Sequence, residues 1–169
     1  MAYHIVKYGA VVLERPAEPV TEFDEKLAQL VQDMFTSMYA VQGVGLAAPQ
    51  IGIPKQLAVI DISAGENRDA KLVLVNPKIL RASGRQTQEE CCLSLPGYRA
   101  PLTRPQRVTI RAQDAKGLWL EKTGEDLLAR AFCHEIDHLQ GKLFIQHLSI
   151  LKRDLIKRRI RKRMRDGQW

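Results

Sequence analysis

The sequence predicts an α+β fold in which antiparallel or mixed β-sheets pack around a central helix that carries a His-Glu-x-x-His motif. Three observations support this prediction. Apolar residues recur at helical spacing in two separate segments, residues 21–40 and 123–141. Short β-type runs fill the chain between these segments, and a tight turn joins two of the runs. Because the helices do not alternate with the strands, the pattern favours an α+β arrangement over repeated βαβ units.

An N-terminal amphipathic helix is the first predicted element. Its apolar residues are spaced three and four apart, which places them on one face: Leu27, Leu30, Val31, Met34, Phe35 and Met38. Thr21 and Asp24 both precede this stripe, and either side chain could cap the first turn.

The central block of the chain is predicted to form strands. The segment GVGLAAPQIGIP, residues 43–54, contains too much Gly and Pro to be regular throughout. Four β-type runs follow it: QLAVIDI, KLVLVNPKIL, QRVTIRAQD and LWLEK. The last two runs are separated by a turn at residues 114–117, which predicts a hairpin.

Two further helices are predicted in the C-terminal part of the chain. The first is expected to begin at Thr123, with Asp126 completing a capping box, and to end at Gly141. Its inward-facing residues are predicted to be Leu127, Leu128, Ala131 and Phe132. The second helix lies in the basic segment, with apolar residues on two sides: Leu148, Leu151 and Leu155, and then Ile156, Ile160 and Met164.

Length and composition indicate one compact domain with its own core. The chain has 169 residues, of which 45% are hydrophobic and 27% charged. It has no run of eighteen apolar residues and no N-terminal export signal, so we expect a soluble, cytoplasmic protein that contacts no membrane. The three cysteines, two of them adjacent, fit a reducing compartment better than a disulfide framework. The sequence does not predict an oligomeric state.

The net charge of +7 is confined to the C-terminal segment. Residues 152–166 contain nine Lys or Arg against two Asp, and the remaining basic and acidic residues are equal in number. We therefore divide the chain into a charge-balanced domain, residues 1–150, and a basic helical extension, residues 151–169. The domain has no charge-based reason to bind polyanions, whereas the extension does.

The His-Glu-x-x-His motif predicts a metal site. Residues four apart on a helix face the same way, so His134 and His138 can bind one ion while Glu135 lies beside them. A catalytic site of this kind needs a third protein ligand and one open position. Isolated surface His and Glu residues are usually just solvated, but this spacing on a helix favours a metal site.

The sequence after the motif offers no convincing third ligand. One metalloprotease pattern places a third His where this chain has Phe144, and another uses a later Glu, but no Glu follows Glu135. His147 alternates with apolar residues and is more simply interpreted as a partly buried polar residue. Asp154 lies among basic residues and is expected to form a local ion pair.

The cysteines are the remaining candidates for the third ligand. Cys133 is rotated by about 100° from His134 around the helix, so a core-facing position is the better interpretation. Cys91 and Cys92 lie at a predicted strand end before a Pro-Gly turn. Successive residues of a strand point to opposite sides, so one of the two can face the helix. Spacing alone does not decide which.

Three segments together resemble peptide deformylase, an enzyme family that removes the formyl group from the N-terminal formylmethionine of new bacterial polypeptides. GVGLAAPQ, residues 43–50, matches the family pattern G-x-G-L-A-A-P-Q. ECCLS, residues 90–94, resembles E-G-C-L-S and aligns Cys92 with the family's ligand cysteine. CHEIDH, residues 133–138, resembles Q-H-E-x-D-H. The similarity extends from VVLERP to about residue 148.

The resemblance implies a role for each residue of the site. Cys92, His134 and His138 would hold one divalent ion with water in the fourth position, and Glu135 would act as general acid and base. The ion implied is Fe²⁺, with Zn²⁺, Ni²⁺ or Co²⁺ as alternatives. Oxyanion donors would be the Gln50 amide and the Leu93 backbone N–H, and substrate would be bound by Gly45 and Arg99. Residues 1–150 would then be the catalytic domain, with N-formylmethionyl peptides as substrate.

Two departures and two alternatives accompany this interpretation. Cys91 stands where the family has Gly, and Cys133 where it has Gln, so we expect altered metal retention or sensitivity to oxidation. A metallopeptidase acting on internal peptide bonds is the main alternative. A nucleic-acid-binding protein with a vestigial metal site is the second. The basic segment Lys152–Arg165 predicts contact with ribosomal RNA, although a solvated helix is an equally good interpretation.

Overall fold

The computed structural model describes residues 1–169 and contains seven strands and three α-helices. The α-helices are α1 (Glu25–Ala40), α2 (Asp126–Leu139) and α3 (Ile150–Arg165). The strands are β1 (Gly45–Ala47), β2 (Leu57–Ile60), β3 (Leu72–Ser83), β4 (Gln86–Cys91), β5 (Arg99–Arg104), β6 (Arg107–Gln113) and β7 (Trp119–Glu125). No helix is both long and apolar enough to span a membrane.

The strands form two sheets. The larger has five strands in the order β1-β2-β3-β6-β7, and the smaller consists of β4 and β5. All the strand pairs are antiparallel, which confirms the α+β prediction. The β6–β7 hairpin turns at Asp114 and Gly117, as predicted, and Gly117 has the positive φ of 83° that such turns favour.

Helix α1 begins where the sequence predicts, and the structure decides between its two candidate caps. The Asp24 carboxylate accepts a hydrogen bond from the Leu27 N–H at 2.9 Å, while Thr21 lies outside the helix. The apolar stripe of α1 is buried against β1 and β2, where Met34 and Met38 are completely inaccessible to solvent. This packing places β1 between α1 and α2.

Strands β4 and β5 form a hairpin that the sequence did not reveal in full. The predicted strand end at Cys91 is present, but β5 was missed because RAPLTR contains a Pro and two Arg instead of an apolar alternation. Its alternate residues Ala100, Leu102 and Arg104 nevertheless face inward and are buried. The guanidinium of Arg104 is tolerated there because it is paired with carboxylates.

The predicted start of α2 is wrong by three residues. Thr123 belongs to β7, where its hydroxyl is 2.8 Å from that of Thr109 across the strand pair, and α2 begins at Asp126 without a side-chain cap. The β6–β7 pairing continues to Glu125 and takes precedence over the local capping signal. Leu127, predicted to face inward, is 49% exposed, because it lies in the first turn of α2 and borders an open pocket instead of the core.

The end of α2 is as predicted. The helix stops at Leu139, and Gly141 has a φ of +74°. A Cβ at Gly141 would lie 2.7 Å from the Arg15 backbone, so this close approach also requires glycine. The N-terminal segment is thereby held against the end of the helix, with the Ala17 N–H donating to the Leu139 carbonyl at 2.9 Å.

Helix α3 packs on the domain through a narrow apolar stripe. Ile156 and Ile160 are buried in a cluster that also contains Leu95 and Phe144. The predicted side with Leu148, Leu151 and Leu155 is mostly exposed, since Leu151 is 81% exposed and Leu155 is 48% exposed, and only Leu148 packs against the cluster. The rest of the helix surface is basic and faces solvent.

Candidate metal centre

Helix α2 presents both histidines of the motif to one point. The Nε2 atoms of His134 and His138 lie 3.2 Å apart, one helical turn from each other. His138 is almost inaccessible to solvent, and the His134 side chain is 13% exposed. The four-residue spacing of the two histidines therefore places their imidazole rings next to each other on one face of the helix.

Cys92 reaches the same point from the end of β4. Its Sγ atom is 3.3 Å from His138 Nε2, and the ligand atoms of Cys92, His134 and His138 all lie within 4.8 Å of one another. Cys91 is exposed and does not belong to this group of ligand atoms. The structure thus selects Cys92 from the adjacent pair, in agreement with the resemblance.

The other residues that could have supplied a third ligand lie elsewhere. Cys133 is buried in the core beneath the five-stranded sheet. The His147 Nε2 atom is 2.7 Å from an Asp137 carboxylate oxygen, and Asp154 forms the weak local pair with Arg153 at 3.9 Å. None of these residues belongs to the Cys92, His134, His138 group.

The donor set fits a divalent transition-metal ion. One thiolate and two imidazoles suit zinc, iron, cobalt or nickel, and three protein ligands leave a further position open. His134 Nδ1 is 2.8 Å from Glu90 Oε1, an arrangement that fixes the ring and directs Nε2 toward the other two ligands. Burial lowers the pKa of His134, but hydrogen bonds with Cys92 and Glu90 outweigh it and raise the pKa well above its ordinary value. The surroundings therefore favour positive charge at His134, whereas burial and the neighbouring His134 lower the pKa of His138.

A buried ionic network holds His134 in place. Glu90 accepts hydrogen bonds from Arg104 at 2.7 and 3.2 Å and from Arg130 at 2.9 Å. Burial raises the pKa of Glu90, but the bonds with His134 and Arg104 prevail and lower it to about 2. Arg130 was missed by the sequence analysis. Its position four residues before His134, on the same helix face, was the available signal.

Glu135 lies beside the ligands in a cavity that Gly45 makes possible. The Glu135 side chain is buried, and its Oε2 atom has no hydrogen-bond partner. A Cβ on Gly45 would overlap the Glu135 carboxylate. Burial raises the pKa of Glu135 to about 7, and a cation on the adjacent imidazoles would lower it again.

Gln50 is oriented by its own turn so that its amide N–H₂ points to the site. The side-chain oxygen accepts from the Ala47 N–H at 2.9 Å, and Nε2 lies 3.3 Å from Ser94 Oγ and 3.6 Å from Cys92 Sγ. The residue is 1% exposed. Leu93 follows Cys92 directly, outside β4, and its N–H donates to no backbone carbonyl.

These residues line one groove with a volume of about 490 Å³. One wall comes from residues 42–45 and the opposite wall from residues 95–99, with Cys92, His134 and Glu135 between them. Arg99 lies on the rim, where it is exposed and 3.7 Å from Glu89. The groove therefore brings together every residue predicted for the site except His138, which lies behind it.

The fold and site define a class of small α+β enzyme in which a His-Glu-x-x-His helix is completed by an upstream cysteine. Residues 2–154 match the family model described as polypeptide deformylase. The chain is 61% identical over 165 residues to a peptide deformylase of Acidobacterium capsulatum, with 98% of this chain and 97% of the relative covered. It is 49% identical over 146 residues to a peptide deformylase of Heliobacterium modesticaldum, with 86% of this chain and 93% of the relative covered.

Solved structures of peptide deformylases have the same fold as this chain. A peptide deformylase from Legionella pneumophila superposes with a TM-score of 0.91 at 44% identity, covering 99% of this chain and 98% of that one. A peptide deformylase from Thermotoga maritima superposes with a TM-score of 0.82 at 38% identity, covering 88% of this chain and 99% of that one. The chain belongs to the peptide deformylase family, and it is an enzyme that removes the formyl group from N-terminal formylmethionine.

Proposed function

We propose that this chain holds one divalent metal ion, Fe²⁺ in the cell, on Cys92, His134 and His138, and hydrolyses the formyl amide with Glu135 as general acid and base. One observation carries the proposal. A buried carboxylate with an unpartnered oxygen lies beside three convergent metal-ligand atoms at the base of an open groove. When bound, the ion acts as a Lewis acid that acidifies water and polarises the formyl carbonyl.

Glu135 moves the proton in this mechanism. Its carboxylate accepts a proton from the attacking water as the new C–O bond forms at the formyl carbon. As the C–N bond breaks, Glu135 returns that proton to the amine nitrogen, so the products are formate and the free N-terminus. Burial of the carboxylate favours this role because it raises the pKa toward neutrality.

Gln50 and Leu93 stabilise the developing negative charge. The carbonyl oxygen gains charge as water adds, and it needs donors that are already oriented. The Gln50 amide is held by Ala47, and the Leu93 N–H has no backbone acceptor. Gly45 and Arg99 bind the peptide portion of the substrate, Gly45 from the groove wall and Arg99 from the rim.

Substitutions of Glu135 and of Cys92 test the proposed general base and the proposed metal ligands separately. Anaerobically purified Glu135→Gln is expected to retain its metal but to release formate from formyl-Met-Ala-Ser roughly 10²–10⁴ times more slowly. Cys92→Ala is expected to lose both metal and activity. A Glu135→Gln protein with normal turnover would contradict the mechanism, and a Cys92→Ala protein with unchanged metal affinity would contradict the ligand set.

A substrate comparison tests the alternative class. An internal-bond metallopeptidase would cleave acetylated peptides and release no formate, whereas the proposed enzyme leaves them intact. The family membership does not favour the peptidase.

The basic face of α3 is the second part of the proposal. In the cytoplasm, Lys152–Arg165 contacts ribosomal RNA, supported by an exposed cluster of Arg158, Arg161, Lys162 and Arg165. In this proposal residues 1–150 catalyse and residues 151–169 dock the enzyme. Arg158→Glu, Arg161→Glu and Arg165→Glu together should reduce co-sedimentation with ribosomes, most clearly at low salt, with formate release unchanged. Ribosome binding that is equal for both proteins at every salt concentration would overturn this part.

A further inference from the structure

Trp169 lies against the back of the groove wall formed by residues 95–99. Its ring centroid is 6.1 Å from that of Tyr98, at an interplanar angle of 58°, which is a favourable tilted aromatic arrangement. Tyr98 lines the groove together with Pro96 and Gly97, whereas Trp169 does not line it. The C-terminal residue therefore touches the wall directly.

A second connection runs from Trp169 to the same loop through Tyr8. The Trp169 indole N–H donates to the Tyr8 carbonyl at 2.8 Å, and the Tyr8 N–H donates to the Ser94 carbonyl at 2.8 Å. The backbone of Tyr8 thus bridges Trp169 and Ser94, the residue that precedes the groove wall. Both connections end on residues 94–98.

Cationic side chains hold the indole in this position. The Arg163 guanidinium lies 5.2 Å from the Trp169 ring centroid, and the Lys7 ammonium lies 5.9 Å from it. Arg163 also donates to the Gln168 carbonyl at 3.1 Å and lies beside Gly97, where a Cβ would be 3.8 Å from its Nη1 atom. The indole is consequently fixed from α3 and from the N-terminal segment together.

The residues at the start of this loop, Cys92 and Ser94, also have contacts that do not involve Trp169. Ser94 Oγ is 3.3 Å from the Gln50 amide, and Cys92 is positioned by β4 and by contact with His138. Trp169 contacts the wall directly at Tyr98, whereas it reaches Ser94 only through the backbone of Tyr8. A change at Trp169 should therefore alter the binding of peptide more than the chemistry.

We propose that Trp169 is a positioning residue for the peptide substrate, which sets the affinity of the groove by supporting Tyr98 and the Pro96–Arg99 wall from behind. The inference rests on the proposed function of the groove. It assigns to the C-terminal residue a part in substrate binding that is separate from any docking by the basic helix.

Steady-state kinetics with formyl-Met-Ala-Ser test this role. Trp169→Ala is expected to raise KM about 3- to 10-fold, as loss of an aromatic contact and its hydrogen bond would, with kcat within about twofold and metal content unchanged. Trp169→Phe keeps a ring against Tyr98 but loses the bond to Tyr8, so an intermediate KM is expected. Trp119→Ala is the matched control, because Trp119 is exposed on β7 and lines no part of the groove.

Three outcomes would overturn the proposal. They are an unchanged KM in Trp169→Ala, an equal KM increase in Trp119→Ala, or a loss of kcat together with metal, which would indicate a general structural role. Calorimetric binding of formyl-Met-Ala-Ser to Glu135→Gln, with and without Trp169→Ala, separates this inference from the proposed mechanism. A 3- to 10-fold weaker Kd supports the role of Trp169 even if the wild-type enzyme releases no formate, and an unchanged Kd contradicts it.

Discussion

Arg130 is the residue whose importance is least visible in the sequence. Its guanidinium donates to the Glu90 carboxylate and to the carbonyls of Gln88 and Leu102, at 2.9–3.1 Å. These bonds connect α2, which carries His134 and His138, to both strands of the β4–β5 sheet, which leads to Cys92. Arg130 therefore helps to fix the distance between the two halves of the candidate metal site.

Substitution of Arg130 should affect stability and metal retention together. Arg130→Met leaves a buried carboxylate and two carbonyls short of a donor, so we expect the free energy of unfolding to fall by about 3–5 kcal/mol. Chelator competition should show faster loss of metal. The control is Arg107→Met, because the Arg107–Glu125 pair is exposed and is worth less than about 1 kcal/mol. Equal effects of the two substitutions would contradict this account.

Cys91 differs from the other two cysteines in accessibility. It is exposed at the end of β4, while Cys92 and Cys133 are buried. Its backbone is not among the positive-φ positions, so cysteine in place of the family's glycine causes no strain there. We expect iodoacetamide to modify one thiol quickly in the native protein and none quickly in Cys91→Ser, measured by mass spectrometry. Two fast thiols in the wild-type protein would contradict the burial of Cys92.

At the scale of elements, the cap of α1 gives a clear comparison between two candidate residues. Asp24 accepts the hydrogen bond from Leu27, and Thr21 does not take part. Asp24→Ala should lower the free energy of unfolding by about 1 kcal/mol in urea denaturation. Thr21→Ala serves as the control and should change it by less than about 0.5 kcal/mol. A larger loss of stability in Thr21→Ala than in Asp24→Ala would show that the helix begins before Glu25.

The contact between α1 and the end of β2 should depend on alkaline pH. The Tyr39 hydroxyl donates to the Asp61 carboxylate at 2.5 Å, and burial together with this bond raises the pKa of Tyr39 to about 12. A pKa raised on folding stabilises the protein below the ordinary value of 10.0, and this contribution is lost as the pH rises toward 12. The stability advantage of wild type over Tyr39→Phe should therefore shrink between those pH values in thermal unfolding. An advantage that grows with pH would contradict the assignment.

At the scale of the whole molecule, α3 is both a charged surface and a part of the core. Ile156 and Ile160 are buried in the cluster that contains Cys92 and Leu95. Deletion of residues 152–169 should therefore lower the melting temperature and impair the groove, because it removes buried apolar surface and Trp169. The charge-reversed protein with Glu at 158, 161 and 165 is the control and should melt near wild type, as those side chains are exposed. A deletion protein with wild-type melting and KM would show that α3 contributes nothing to the domain.

Much of the fold was predictable because its signals are local. The spacing of apolar residues predicted α1 and its buried face, and the turn at residues 114–117 predicted the β6–β7 hairpin. Thr123 shows where local signals fail, since strand pairing with Thr109 took precedence over a capping box. Strand β5 shows the same limit, because its buried Arg104 is explained only by partners distant in the sequence.

The sequence by itself determined the chemistry of the candidate site: two imidazoles and a carboxylate on one helical face, and a resemblance that pointed to Cys92. Helical spacing fixes such a face without reference to the rest of the chain. Only the tertiary structure decided which cysteine faces the helix, that Arg130 and Glu90 hold the two halves together, and that Trp169 supports the groove wall. These contacts join residues about forty or more positions apart, so they depend on how the sheets and helices pack and not on any local pattern.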